Sequence, residues 1–148
     1  MKCRPVNFLL VEDDDSHAEL IKMALEENRV SNNLIRVSDG VEAMRFLSAK
    51  DEFAGRKLPD VILLDLKLPR MDGLEVLAAI KGDDDLKVLP VVILPTSAAE
   101  IDRARAYAHH ANSYVVKPLD FNVFHQMVKD LQLYWSAWNE PPPAVIAI

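Results

Sequence analysis

Five short stretches rich in Val, Ile and Leu recur along the chain: VNFLLVE (6–12), NLIRVS (33–38), DVILLD (60–65), PVVILP (90–95) and SYVVKP (113–118). Four of them are apolar with little interruption. A strand with one face in water alternates apolar and polar side chains, so a continuous apolar run is a strand covered on both faces, as in a parallel sheet. That pattern excludes a half-exposed antiparallel sheet and calls for helices on either side.

The intervening segments supply those helices. Asp14–Asn28 places Ala18, Ile21 and Leu25 on one stripe, and Gly40–Ser48 carries Val41, Met44, Phe46 and Leu47. Asp72–Lys81 carries Leu74, Leu77 and Ala78, with Gly73 as a turn glycine opening the helix. Ser97-Ala98-Ala99-Glu100 reads as a capping box starting a helix that runs to about His110. Asp120 caps a last helix in which Phe124, Val128, Leu131, Trp135 and Trp138 are spaced 4, 3, 4 and 3. Five strands alternating with five helices make an α/β three-layer sandwich. Right-handed crossovers favour a doubly wound five-stranded parallel sheet of flavodoxin-like order 2-1-3-4-5.

The expected boundaries are a single domain over 1–138 and a proline-rich apolar tail over 139–148, where NEPPPAVIAI cannot continue a helix. The charged insert AKDEFAGRKLP (49–59) and the acidic GDDDLKVL (82–89) read as solvated loops. A formal charge of −6 without a basic run argues against nucleic acid or an anionic membrane as partner. No run reaches the ~18 apolar residues of a membrane span. The N-terminus does not read as a signal peptide, and the single Cys3 cannot form an internal disulfide and fits a reducing cytoplasm.

In an open parallel sheet, ligands bind beyond the carboxyl ends of the strands, where the strand order reverses. The first strand ends in Glu12 and Asp13, the third in Asp65, the fourth in Pro95, Thr96 and Ser97, and the fifth in Lys117-Pro118. Three carboxylates crowded into one crevice repel unless a cation lies between them. All-oxygen ligands without His or Cys suit Mg²⁺ rather than zinc. A partly neutralised Asp65 is then a usable nucleophile toward phosphorus, and Lys117 supplies a positive charge for phosphoryl oxygens. Asp14 and Asp15 fall at the start of the first helix, where negative charge is favoured by the dipole. His17, His109, His110 and His125 have no motif around them and are assigned no role.

The segments LLVEDD, VILLDLKLPRMDG and YVVKP, in this order and spacing, resemble the receiver domain of two-component response regulators. The resemblance implies that Asp65 is the phosphoacceptor. It implies that Asp13 ligates Mg²⁺, that Glu12 holds a metal-bound water, and that the backbone carbonyl of Lys67 is a further ligand. Lys117 would contact the phosphoryl group, Pro118 would follow a cis peptide bond, and Tyr114 would be the aromatic residue that changes rotamer on activation. The insert at 49–59, the DDDLKVLPVVIL approach and the YWSAW end further resemble the small cyanobacterial regulators paired with phytochrome-type histidine kinases. Where the family's fourth strand carries a switching Thr or Ser that bonds the phosphoryl group, this chain has Pro95 at the switch position, and Thr96 one residue later is the expected substitute phosphate contact.

Trp135 and Trp138 either cover the sheet's edge or extend the last helix into a dimer interface with Phe124, Val128 and Leu131. The enrichment of large aromatics at interfaces favours the second. No effector domain is expected after the receiver-like segment, so the expected output is through protein contacts. The alternative is a phosphorylation-independent interaction module, its switch impaired by Pro95. A phosphatase or phosphotransferase of the haloacid dehalogenase type would want Asp where Lys67 stands. The four glycines form no phosphate-cradling loop after the first strand.

Overall fold

The computed structural model describes residues 4–27, 32–48, 57–96 and 99–141. In chain order these form β1 (Val6–Val11), α1 (Asp15–Glu27), β2 (Asn32–Val37), α2 (Gly40–Leu47), β3 (Val61–Leu64) and α3 (Gly73–Lys81). They continue as β4 (Val91–Ile93), α4 (Glu100–Ala108), β5 (Ser113–Tyr114), α5 (Phe121–Leu133) and a terminal π turn, Tyr134–Trp138. All five strands are parallel, in the order β2-β1-β3-β4-β5. This is the doubly wound parallel sheet of order 2-1-3-4-5 that the apolar runs imply.

The continuous runs are explained by the two-residue alternation of side chains across a strand. Leu9, Val11, Ile62, Leu64, Val91 and Ile93 point to one face, against Ala43, Phe46 and Leu47 of α2, Val76, Leu77 and Ile80 of α3, and Ala106 of α4. Val6, Phe8, Leu10, Val61, Leu63 and Val92 point to the other, against Ala18, Ile21 and Leu25 of α1 and Phe124 and Val128 of α5. The sheet thus separates two cores.

Aspartates start four of the helices. Asp14 accepts from the His17 N–H at 3.0 Å, Asp39 from Glu42 at 2.8 Å, Asp72 from Glu75 at 3.1 Å and Asp120 from Val123 at 3.0 Å. Each such cap contributes about 1 kcal/mol. The fifth start departs from expectation. Helix α4 begins at Glu100 behind Ala99, which offers no side-chain cap, and Ser97 and Ala98 lie outside the described residues.

The acidic stretch after α3 is not simply a solvated loop. It turns tightly, with Asp83 accepting from the N–H groups of Asp85 and Leu86, and it buries Leu86 and Leu89 in the core. Burying each leucine contributes roughly 1.5–3 kcal/mol. Strand β5 is shorter than the run 113–118, but its ladder to β4 continues: Val115 N–H donates to Ile93 at 2.8 Å and Lys117 N–H to Pro95 at 2.8 Å. Among the described residues there is no cis peptide bond, so the bond before Pro118 is trans, contrary to what the resemblance implies. Trans is the intrinsically favoured isomer by about 0.5–1 kcal/mol.

At the far end, Arg4 N–H donates to Ser136 at 2.8 Å, and the Arg4 guanidinium reaches the carbonyls of Trp135 and Asn139. Most of the insert and most of the tail (49–56 and 142–148), and Cys3, lie outside the described residues. No helix among the described residues is long and apolar enough to cross a membrane.

Candidate functional site

The parallel ladder delivers the site's side chains to one rim. Glu12 N–H donates to Val37 at 3.1 Å and Asp65 N–H to Val11 at 3.1 Å, so both acids leave adjacent strands at the same level. The continuing β4–β5 ladder brings Lys117 to that rim. Carboxylate oxygens of Glu12, Asp13 and Asp65 lie within 4.8 Å of one another. Glu12 and Asp65 are buried and Asp13 is exposed.

Lys117 is buried between them. Its Nζ pairs closely with Glu12 Oε1 and stands 3.5 Å from Asp65 Oδ2. The other Asp65 oxygen, Oδ1, accepts from the Leu66 N–H at 2.7 Å. Burial pushes the Glu12 carboxyl up to about 7, against the lowering influence of the Lys117 hydrogen bond and charge, and the neighbouring Asp65 charge adds to the rise. At an effective dielectric near 20, two carboxylates this close repel by roughly 3 kcal/mol. One ammonium does not offset three such groups. The set is all oxygen, with one member open to solvent, and it fits a small hard divalent cation.

Lys67 is exposed and lines a cleft of about 490 Å³ beside Asp13, with Leu66, Leu68, Asp72, Asp102 and Arg105 also on its walls. Gly73 is needed here for close approach rather than for a turn. A Cβ on it would fall 2.2 Å from the Asp65 carbonyl oxygen. Arg70, at φ 64°, reaches Asp39 with Nε at 3.0 Å and Nη2 at 2.8 Å, tying the segment after β3 to the start of α2.

At the end of β4, Pro95 is buried and its carbonyl holds the Lys117 N–H, whereas Thr96 is exposed. Tyr114 is half-buried against the α2–α3–α4 core. Burial raises its hydroxyl's pKa, with Asp102 adding to the rise and Arg103 opposing it.

Of the side chains expected at a dimer interface, Phe124 and Val128 are instead buried in the protomer's own core. Leu131 and Trp135 pack partly against that core, and Trp138 is 64% exposed. The physical reason is the helical stripe: positions 124 and 128 face the sheet, and the opposite flank faces out.

His17 is the residue that motif reading missed. Its Nδ1 lies 3.0 Å from Lys117 Nζ and its ring lies beside Phe124. The signal was its place four residues before Ile21, on the inward stripe of α1.

A family model described as the response regulator receiver domain matches residues 8–129. The chain belongs to that family. It is a signalling phosphoacceptor protein rather than a classical enzyme. The probable methanogenesis regulatory protein FilR2 of Methanothrix harundinacea is 43% identical over 138 residues, 93% of this chain and 88% of that one. The crystal structure of the phosphorylated cyanobacterial phytochrome response regulator RcpA superposes with a TM-score of 0.90 at 40% identity, over 93% of this chain and 99% of that one. The Mn²⁺-bound form of Rcp1, a response regulator of Synechocystis sp., superposes at 0.89 with 38% identity, over 94% and 100% of the two chains. The chain is therefore related to phytochrome response regulators, and its acidic cluster is of the kind typical of receiver domains.

Proposed function

We propose that this response regulator accepts a phosphoryl group on Asp65 from the phosphohistidine of a phytochrome-type histidine kinase, and passes the signal on through protein contacts. The observation that carries the reading is the meeting of three carboxylates within 4.8 Å with a buried lysine 3.5 Å from one of them. Likeness to RcpA and Rcp1 supports the kinase class.

In this reading a carboxylate oxygen of Asp65 attacks phosphorus, the phosphorus–nitrogen bond of the donor breaks, and the histidine leaves. The Leu66 N–H and Lys117 hold the two oxygens of Asp65 and orient the group. Lys117 then faces the phosphoryl oxygens. Mg²⁺, when bound by Asp13, Asp65, the Lys67 carbonyl and a water on Glu12, would neutralise charge that Lys117 alone leaves uncompensated. Self-association through the exposed flank of α5 and Trp138 is the proposed output surface.

Labelling with radioactive acetyl phosphate and Mg²⁺ tests the reading. Wild type should label and Asp65→Asn should not. Equal labelling of the two would refute the assignment.

The burial of Pro95 and the exposure of Thr96 favour a second reading, in which the module binds its partner independently of phosphorylation. It predicts that Asp65→Asn binds partner as wild type does with and without phosphodonor.

A further inference from the structure

We propose that His17 is a positioning residue for Lys117 in phosphoryl transfer. This rests on Asp65 being the phosphoacceptor. A lysine ammonium has three N–H donors and no acceptor. Those of Lys117 face Glu12 Oε1, Asp65 Oδ2 at 3.5 Å and His17 Nδ1 at 3.0 Å. Because lysine only donates, His17 Nδ1 is the acceptor and the ring proton sits on Nε2. The approach of Nδ1 to Glu12 Oε1 at 3.7 Å is therefore a shared position around Lys117 and not an ion pair.

The ring is anchored independently of Asp65. The backbone N–H of His17 is held by the Asp14 cap at 3.0 Å, which fixes the start of α1, and the ring flanks Phe124 of α5 at 6.2 Å between centroids. His17 thus gives the buried lysine a fixed third acceptor. Lys117 pairs closely with Glu12, whereas its contact with Asp65 Oδ2 is long at 3.5 Å and by itself holds the ammonium only weakly toward that carboxylate. With the third in place, one N–H stays aimed at the Asp65 carboxylate. The effect of His17 on Asp65 passes through Lys117, which contacts both.

The test compares wild type, His17→Leu and His17→Asn. Leucine keeps apolar bulk beside Phe124 without an acceptor. Asparagine restores an acceptor oxygen near the position of Nδ1. Initial rates of Mg²⁺-dependent labelling by acetyl phosphate are measured while Mg²⁺ and donor are varied in turn. His17→Leu should lower the maximal rate about tenfold, equivalent to ~1.4 kcal/mol in the barrier. The Mg²⁺ concentration giving half the maximal rate should not move, and His17→Asn should restore most of the loss.

A His17→Leu rate equal to wild type overturns the proposal. So does equal slowing in the Leu and Asn variants, which would make the effect one of packing. A change confined to Mg²⁺ dependence also overturns it. Ring ¹⁵N spectra of the wild type serve even if a variant does not fold: a proton found on Nδ1 rather than Nε2 overturns the proposal, and an unprotonated Nδ1 supports it. Asp65→Asn is run alongside. If it labels, the Asp65 assignment fails, whatever the His17 variants do.

Discussion

Replacing Gly73 by alanine should damage fold and site together, and the size of the damage follows from the geometry. Its φ is not left-handed, so the constraint is space alone. The added Cβ would meet the Asp65 carbonyl oxygen at 2.2 Å and the Leu66 Cα at 2.6 Å, both backbone atoms with little freedom to yield. Ordinary carbon–oxygen contacts lie at roughly 3.3–3.6 Å, so the start of α3 must retreat by about 1 Å. That movement breaks the bond from Gly73 N–H to the Leu66 carbonyl, 2.7 Å long. An unsatisfied buried donor costs about 1–3 kcal/mol, and residual overpacking about 1–3 kcal/mol more. A loss of roughly 2–5 kcal/mol would shift a urea midpoint by on the order of 1–2 M. Because the displaced atoms belong to Asp65 and Leu66, Mg²⁺ affinity measured by calorimetry should fall in the folded variant as well. A midpoint within about 0.3 M of wild type, with unchanged Mg²⁺ binding, would refute the reasoning.

Pro95→Thr should strengthen the link between phosphorylation and self-association about tenfold, since it supplies a hydroxyl whose bond to a charged group contributes roughly 1.5–3 kcal/mol; sedimentation velocity with and without acetyl phosphate reads this, and no change sinks it. Asp13→Ala should weaken Mg²⁺ binding while leaving the metal-free protein at least as stable, because it removes like-charge repulsion; calorimetry and thermal unfolding report the two arms. Asp39→Ala should cost about 1–2 kcal/mol through loss of a helix cap. Burial raises the Asp39 carboxyl, but the Glu42 N–H bond and Arg70 outweigh it and hold its pKa below the ordinary Asp value. The stabilisation is therefore present above that value and lost as pH falls through the lower folded one, so urea titrations should show the gap between wild type and Asp39→Asn closing under acid. Trp138→Ala should weaken any dimer seen at tens of micromolar by sedimentation equilibrium, and a monomeric wild type would remove the interface reading.

The sheet was legible because burial on both faces leaves its mark in each strand by itself: Leu9 and Leu10 look alike in sequence although they enter different cores. The acids at strand ends were legible for a related reason, since parallel strands put their carboxyl ends at one rim. What stayed hidden depended on contacts distant in sequence. Leu86 and Leu89 look like residues of a charged loop until α3 and β4 fold around them. His17 carries no motif, and only the approach of a residue 100 positions away gives it a partner. Phe124 and Val128 showed the right period but not which side of α5 would face the sheet. The need for Gly73 came from the proximity of Asp65, which no local turn pattern records.

The tie between Arg4 and the terminal π turn bears on how the molecule is made. The guanidinium of Arg4 finds its partners 131 and 135 residues further along the chain. At roughly 5–20 residues per second of synthesis, β1 waits on the order of 10 s before the turn that fastens its leading end has been added. Until then β1 can pair with β2 and β3, but the segment before it has nothing to hold. Ribosomal emergence therefore begins the sheet at the β1–β2 pair and fastens it last at the far end of α5, and truncations ahead of Ser136 should accumulate as loosely folded, protease-sensitive nascent chains.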